Sequence, residues 1–225
     1  MRTLFYYPLH AYSRIIRVML TEEQLDFDLQ YELPWNLSEQ LKSYNDQELL
    51  PVLRDVNGTT IAGITTIIEY LDEAYPEQDL IGRSIMQRVE ARRLSYWFVN
   101  DFYHEVYYPI MNEKIIKRFK SKTVNAPNPD VIRNALYKIP KYLSKIIYLL
   151  ERRSWLAGMD FSIADICVAS FISIFDYLSI LKWTNYDDIL LTWYVRIKSR
   201  RSFRSLLADN VPTIPPSKNY AKLDY

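Results

Sequence analysis

The first 76 residues alternate between two hydrophobic periods, one typical of strands and one typical of helices. Short apolar or alternating segments predict strands at residues 3–7, 27–33, 51–56 and 59–62. Helical spacing predicts helices at residues 13–24 and 65–74, with a polar helix between them at residues 37–44. Asn57-Gly58 is a strong signal for a hairpin turn between the last two strands. The order βαβαββα is typical of a thioredoxin-like domain, predicted here at residues 1–76.

Beyond this domain the pattern is helical. Polar residues 77–84 predict a linker, and residues 85–210 predict an all-α domain. Its helices are expected at residues 85–119, 131–153, 163–174, 188–199 and 202–207. Ser162 and Asp165 have the spacing of a capping box at the start of the most apolar of these helices. Several prolines favour an extended tail at residues 211–225. The predicted fold class is α+β, a thioredoxin-like domain followed by an all-α domain.

Composition and charge exclude several classes of function. Lys and Arg number 28 against 27 Asp and Glu, a net charge of +1, which argues against a general nucleic-acid or membrane-surface binder. Cys167 is the one cysteine, so no internal disulfide forms, and with two histidines no cysteine- or histidine-based metal site is expected. No window has the ~20 apolar residues of a membrane span, and the N-terminus lacks a signal-peptide pattern. We therefore expect a cytoplasmic protein that does not insert into membranes.

Three motifs occur in a characteristic order: Glu48-Leu49-Leu50-Pro51-Val52-Leu53, Ile67-Ile68-Glu69-Tyr70-Leu71 and Gly158-x-x-x-Ser162-x-Ala164-Asp165. They resemble motifs of the glutathione-transferase superfamily. There the first carries a cis-proline before the third strand, the second closes the first domain, and the third caps a central helix. The resemblance covers the whole chain and implies the two-domain glutathione-transferase fold, usually found as a homodimer.

Further segments carry a narrower resemblance: Pro8-Leu9-x-x-Tyr12-Ser13-Arg14-x-x-Arg17, Pro34-Trp35, residues 193–209 and the tail at residues 215–225. They are similar to the glutathione-transferase-like division proteins of alphaproteobacteria that localise with FtsZ. This resemblance implies binding to polymerised FtsZ at the division site. It also implies support of the septal wall-synthesis machinery, without a required transferase reaction.

The superfamily resemblance also locates a vestigial glutathione cleft. Leu50-Pro51 matches the segment whose backbone pairs with the peptide. The acid-Ser pair that holds the γ-glutamyl end falls on Gly63 and Ile64, which lack both groups, and Thr65 follows where it could cap the helix instead. Each hydrogen-bonding group left unpaired costs on the order of 1–3 kcal/mol. Glutathione is therefore expected to have lost most of its anchoring groups at this end.

Three residues are candidates for activating a glutathione thiol. The resemblance places the catalytic-Ser position of one class on His10, with Ser13 one helical turn away. Tyr6 lies near the position where other classes carry a tyrosine. Simpler interpretations remain open for each, because Ser13 fits an N-cap of the first helix, Tyr6 fits a strand aromatic packed on the core, and His10 fits a loop residue.

Three regions are candidates for contact with a protein partner. Trp35 lies in a polar loop, and tryptophans are favoured interface anchors, although it could instead pack against the second domain. The stretch that ends in Asp209 contains a basic cluster suited to an acidic partner or to a solvated helix face. The members of this cluster are Arg196, Lys198, Arg200, Arg201 and Arg204.

The third candidate region is the tail, which ends in Leu223-Asp224-Tyr225. Its apolar and acidic character fits capture by a partner's groove, whereas many such termini are disordered. Deleting residues 220–225 is expected to spare the fold but to impair function if the chain is a division protein.

These observations favour a non-catalytic, glutathione-transferase-like cell-division regulator that binds FtsZ filaments and supports septal wall synthesis. No cofactor is required, and glutathione is the one candidate ligand. The alternative is a glutathione transferase that conjugates glutathione to electrophiles through Ser13 or Tyr6. A stress-response scaffold that binds RNA polymerase shares the fold, and no residue pattern favours it.

Overall fold

A computed structural model describes residues 1–45, 49–120 and 126–223. Glu48 of the first motif and the candidate partner residues Asp224 and Tyr225 lie outside these described residues.

Four short strands form a mixed sheet. They are β1 (Arg2–Tyr6), β2 (Phe27–Tyr31), β3 (Val52–Arg54) and β4 (Thr60–Ala62), in the order β2-β1-β3-β4. Strand β2 is parallel to β1 and the other pairs are antiparallel, so that Leu4 aligns with Leu29 on one side and with Leu53 on the other. Leu4 and Leu53 are fully buried, whereas Leu29 on the edge strand is exposed. Each predicted strand is present in this sheet.

Three helices complete the thioredoxin-like part: α1 (Ala11–Glu22), α2 (Glu39–Tyr44) and α3 (Ile64–Ala74). Helix α1 begins at Ala11 rather than at residue 13. The reason is a turn in which the His10 amide donates to the Tyr7 carbonyl, because this turn leads directly into the helix. His10 is therefore the N-cap residue and Ser13 lies within the first turn. The interpretation of Ser13 as the N-cap is wrong.

A long helix runs from Ile85 to Lys120. It is α-helical at α4 (Ile85–Tyr96), α5 (Tyr108–Met111) and α6 (Lys117–Lys120), with π-helical turns at Trp97–Tyr107 and Asn112–Ile116. Pro109 lies where a π-helical stretch returns to α-helix. A proline removes one backbone donor, and a change of helical register re-pairs the neighbouring carbonyls.

Helix α7 (Pro129–Leu150) packs beside the long helix, and α9 (Asp188–Lys198) and α10 (Arg201–Leu207) follow later in the chain. Between them, α8 (Ile163–Tyr177) is buried along its whole length. A capping box opens α8, since one Asp165 carboxylate oxygen accepts from both the amide and the hydroxyl of Ser162 at 3.1 Å. The other oxygen accepts from the Trp193 indole at 2.9 Å. None of the helices in the described part is both long and apolar enough to span a bilayer.

The C-terminal segment is docked onto the body, in contrast to the predicted extended tail. Val211, Ile214 and Tyr220 are buried. The Tyr177 hydroxyl donates to the Ile214 carbonyl at 2.6 Å and accepts from the Val211 amide at 3.0 Å. The expectation that deleting residues 220–225 spares the fold is therefore wrong for Tyr220, because its side chain is part of the core.

A buried arginine ties this segment to both halves of the molecule. The fully buried Arg14 guanidinium donates to the Pro8 carbonyl at 2.6 Å, to the Ser173 hydroxyl at 2.7 Å and to the Tyr220 hydroxyl at 2.9 Å. Asp209 lies 3.7 Å from the same guanidinium. The Arg14 Nη2 is buried without a hydrogen-bond partner among the described residues, so at this end the Asp209 carboxylate compensates the buried cation by its charge.

Replacing Tyr220 by Phe is expected to lower the free energy of unfolding by about 1–3 kcal/mol. The hydroxyl accepts from Arg14 and donates to the Leu206 carbonyl at 2.9 Å, and its loss removes one hydrogen bond from each of these buried groups. Urea unfolding followed by circular dichroism measures the change. The control Tyr137→Phe removes an exposed hydroxyl and should alter stability by less than about 0.5 kcal/mol. Equal stability of the two variants would contradict this role of Tyr220.

Candidate functional site

A cleft of about 460 Å³ lies between the thioredoxin-like part and the long helix. Its first wall comes from the loops after β1 and β2 and from the start of α3, and its second wall comes from the middle of the long helix. Most of the lining is aromatic or aliphatic. The residues of the first wall include Tyr7, His10, Trp35, Leu50, Gly63, Ile64 and Thr65, and those of the second include Tyr103, Tyr107, Tyr108, Met111 and Ile115.

Two tyrosines fix the distance between these walls. The Tyr107 hydroxyl donates to the Leu9 carbonyl at 2.7 Å and accepts from the Ala11 amide at 3.1 Å. The Tyr12 hydroxyl donates to the Val99 carbonyl, and its ring stacks on Tyr103 with centroids 4.6 Å apart. Because these contacts cross between the two halves of the chain, the cleft is held open in a defined shape.

The strand pattern decides which tyrosine faces the cleft. Successive strand residues point to opposite sides, and Tyr7 lines the cleft whereas Tyr6 does not. The Arg17 guanidinium instead lies over the Tyr6 ring, 5.2 Å from the centroid of that ring. Tyr6 is therefore misplaced for activating a thiol in the cleft. Burial raises the pKa of the Tyr7 hydroxyl well above its ordinary value, which keeps this group protonated.

His10 and Ser13 form a polar pair at the base of the cleft. The His10 Nδ1 lies 3.2 Å from the Ser13 Oγ, which also accepts from the Tyr7 amide at 3.3 Å. Ser13 is fully buried and does not line the cleft. Burial lowers the pKa of His10 to about 4, so the imidazole is neutral at pH 7 and supplies no positive charge to a thiolate.

The start of α3 has a backbone conformation that explains the missing acid. Gly63 is the N-cap and has φ +90°, a backbone conformation that strains residues other than glycine. Space is not the constraint, because the atom nearest to a Cβ at this position would be the Thr66 hydroxyl oxygen at 3.7 Å. Ile64 places an aliphatic side chain in the lining, and Thr65 is exposed. No carboxylate lines this end of the cleft among the described residues, so the γ-glutamyl amine of glutathione has no charged partner there.

Leu50-Pro51 is a cis peptide bond and Leu50 lines the cleft, which agrees with the backbone arrangement implied by the resemblance. The backbone segment that would pair with the glutathione peptide is thus present. The Ser13 and Tyr6 hydroxyls are absent from the lining, and so is any carboxylate for the γ-glutamyl end among the described residues. The described residues do not fit glutathione in its usual mode.

Trp35 lies at the mouth of the cleft and is partly buried. Its ring stacks on Phe119 with centroids 5.1 Å apart and meets Tyr7 edge-on at 5.4 Å. Because Phe119 belongs to α6, Trp35 does pack against the helical part, and the rest of its surface stays open at the rim.

The predicted basic cluster is divided by the tertiary structure. Lys198 is fully buried and lies 3.6 Å from Asp176. Arg200 makes two bonds of 2.7 Å to the Glu22 carboxylate, and Asp209 accepts two bonds of 2.9 and 2.8 Å from Arg17. The prediction that Arg200 and Asp209 contact a partner does not agree with this internal pairing. Arg196, Arg201 and Arg204 remain exposed.

Sequence reasoning missed most of the aromatic lining. The resemblance indicates Tyr6 rather than the adjacent Tyr7. The tyrosines of the second wall belong to a helical pattern that contains no local motif. Their sequence spacing holds a signal, since Tyr103, Tyr107 and Met111 recur every four residues and share one helix face.

Comparison with known proteins gives three findings. A family model for the N-terminal domain of glutathione S-transferases matches residues 11–74. The whole chain is 34% identical to FtsZ-localized protein A of Caulobacter vibrioides and covers 98% of that protein. Two solved structures resemble it over 100% of its length, each with a TM-score of 0.94: FzlA from C. crescentus at 34% identity with 99% covered, and a glutathione S-transferase from Rhodospirillum rubrum F11 at 37% identity with 100% covered.

The cleft is expected to bind glutathione too weakly for saturation at millimolar concentration. The lining lacks the acid-Ser pair for the γ-glutamyl end and the Ser13 and Tyr6 hydroxyls for the thiol. Each ligand group left unpaired costs on the order of 1–3 kcal/mol. Isothermal titration calorimetry tests this, with a glutathione-binding transferase as the positive control. Saturable binding by the native chain would show that other residues of the cleft replace the missing groups.

Proposed function

The chain belongs to the glutathione-transferase superfamily, within the family that includes FtsZ-localized protein A, and we propose that it acts as a non-catalytic cell-division regulator. In this proposal it binds FtsZ filaments at the division site and supports septal wall synthesis. The observation that carries the proposal is the 34% identity to FtsZ-localized protein A, which extends over this whole chain and 98% of that protein. The matched length includes the docked C-terminal segment as well as the transferase fold.

The chemistry of the cleft supports a binding role over catalysis. Ser13 is buried and Tyr6 lies against Arg17, so neither candidate hydroxyl lines the cleft. A transferase needs a group that stabilises the thiolate at neutral pH. Neutral His10 does not meet that need.

Trp35 is the proposed anchor for the filament. It combines an open edge with a rigid position, since Phe119 and Tyr7 hold its ring from two sides. An aromatic side chain that is already ordered loses little conformational entropy on binding. Arg204, exposed on α10, and Asp224 and Tyr225 at the end of the chain are further proposed contacts.

A glutathione transferase remains the second candidate function. It is favoured by the relative from Rhodospirillum rubrum, which carries that name and is 37% identical over its full length. The calorimetric titration described above separates the two candidates, because a transferase must bind glutathione.

We further propose that the protein is a homodimer through one face of α4. Ile85, Met86, Val89 and Tyr96 expose large apolar surfaces on this helix. Apolar side chains clustered on one helix commonly mark a protein interface. In a two-fold dimer this face would meet its own copy, and two filament-binding surfaces would then act together.

Co-sedimentation with FtsZ from the same organism tests the filament proposal. The native chain is expected to pellet with GTP polymers and to stay in solution with GDP. Trp35→Ala should weaken binding by roughly tenfold or more, as at interface hot spots. Trp155→Ala is the matched control, because Trp155 is also partly buried and lies outside the cleft lining. Equal binding by both variants would remove Trp35 as the anchor, and no pelleting of the native chain would remove the filament proposal.

Light scattering after size exclusion tests the dimer. Met86→Asp places a charge in the proposed interface and should give a monomer. Met159→Asp is the matched control, since the two methionines are 72% and 71% exposed. A native chain that elutes as a monomer, or a dimer unaffected by Met86→Asp, would contradict the α4 interface.

A further inference from the structure

Charge is distributed very unevenly along this nearly neutral chain. Residues 114–145 contain nine Lys and Arg and one acid, Asp130, for a net charge of +8. The remaining residues contain 19 Lys and Arg and 26 Asp and Glu, for a net charge of −7. The overall balance therefore conceals a strongly basic segment. We call the described part of this segment, residues 114–120 and 126–145, the basic hairpin, because α7 packs beside the long helix.

The outer face of α7 displays this charge together with aromatic side chains. Tyr137, Lys141, Lys145 and Tyr148 follow one another at steps of four, four and three residues, so they share one side of the helix. All four are exposed, and Tyr137 is 86% exposed. The opposite side of α7 is in the core, with Ala135, Ile139, Leu143 and Ile146 buried.

Several of these cations have no acidic partner. Arg133 and Lys138 pair with Asp130 and Glu105, at 3.2 and 3.4 Å. Lys145 instead lies 4.8 Å from the centroid of the Tyr148 ring. Within the described part of the chain, no ion pair is formed by Lys114, Arg118, Lys120, Lys141 or Lys145. Their positive charge is available to an external anion.

We propose that the basic hairpin binds the surface of an anionic phospholipid bilayer, without insertion. Complementary charge is the first argument, because each Lys or Arg near such a surface contributes to binding. The form of the surface is the second. A peptide needs a groove, and no described cavity is lined by Tyr137, Lys141 or Lys145. A helix of about 33 Å can lie along a plane of phosphates.

Two further features fit the same partner. Tyrosine has an apolar ring and a polar hydroxyl, which suits the level of the lipid headgroups, and Tyr137 and Tyr148 flank the two lysines. The thioredoxin-like residues 1–76 contain five Lys and Arg against 12 Asp and Glu. An anionic surface repels this half, so the molecule adsorbs with the basic hairpin against the lipid and the acidic domain turned away.

Vesicle co-sedimentation tests the proposal, which does not depend on the FtsZ proposal. The native chain is expected to pellet with phosphatidylcholine vesicles that contain phosphatidylglycerol, and not with phosphatidylcholine alone. High salt should release it. Lys141→Glu/Lys145→Glu should lower the partition coefficient by roughly 25-fold or more, because each cation contributes a factor of about five. Thermal unfolding verifies that the variant is folded.

Lys182→Glu/Lys218→Glu is the matched control, because it makes the same change in net charge at exposed lysines outside the basic hairpin. It should retain most of the binding. An equal loss in the control would show that net charge alone acts and would overturn the site. Absence of pelleting at low salt would overturn the membrane proposal. The membrane proposal would also be overturned if vesicles bound nothing while the native chain self-associated at low salt and Lys141→Glu/Lys145→Glu abolished that self-association. A second copy of the chain would then be the partner.

Discussion

The buried guanidinium of Arg14 joins four parts of the chain that local sequence patterns treat as separate. It links the loop after β1 through Pro8, the central helix through Ser173, and the C-terminal segment through Tyr220, with Asp209 nearby. Removing the partner of a buried charge commonly costs about 3–5 kcal/mol. The relative position of the two halves, and therefore the cleft between them, depends on this contact.

The cleft retains the backbone of a glutathione site and presents different chemistry. The cis Leu50-Pro51 bond and the start of α3 lie where that fold requires them, while Gly63 and Ile64 remove the polar anchors. Aromatic rings occupy much of the lining, and cross-wall hydrogen bonds of Tyr12 and Tyr107 hold the shape. In the proposed binding role, the ordered tryptophan at the mouth of this cleft supplies a rigid aromatic contact for the partner.

Local patterns predicted the fold well and the functional residues poorly. Strand and helix periods depend on near neighbours, so each element of the sheet and each major helix was found. The errors concern residues whose surroundings come from distant segments. Lys198 belongs to a run of basic residues that suggests an exposed face, and yet it is fully buried beside Asp176. Tyr6 and Tyr7 are adjacent in the chain, and the exact end of β1 decides which of them reaches the cleft.

The sequence by itself determined the two-part architecture, the capping box of α8 and the uneven distribution of charge, because these follow from the order and spacing of nearby residues. The family resemblance was also readable there, in short motifs at fixed separations. Only the tertiary structure decided that Val211, Ile214 and Tyr220 belong to the core and that Arg200 and Asp209 are engaged internally. The reason is physical: Arg14 meets Tyr220 and Arg200 meets Glu22 across most of the chain, and such long-range pairings leave no trace in a local hydrophobic pattern.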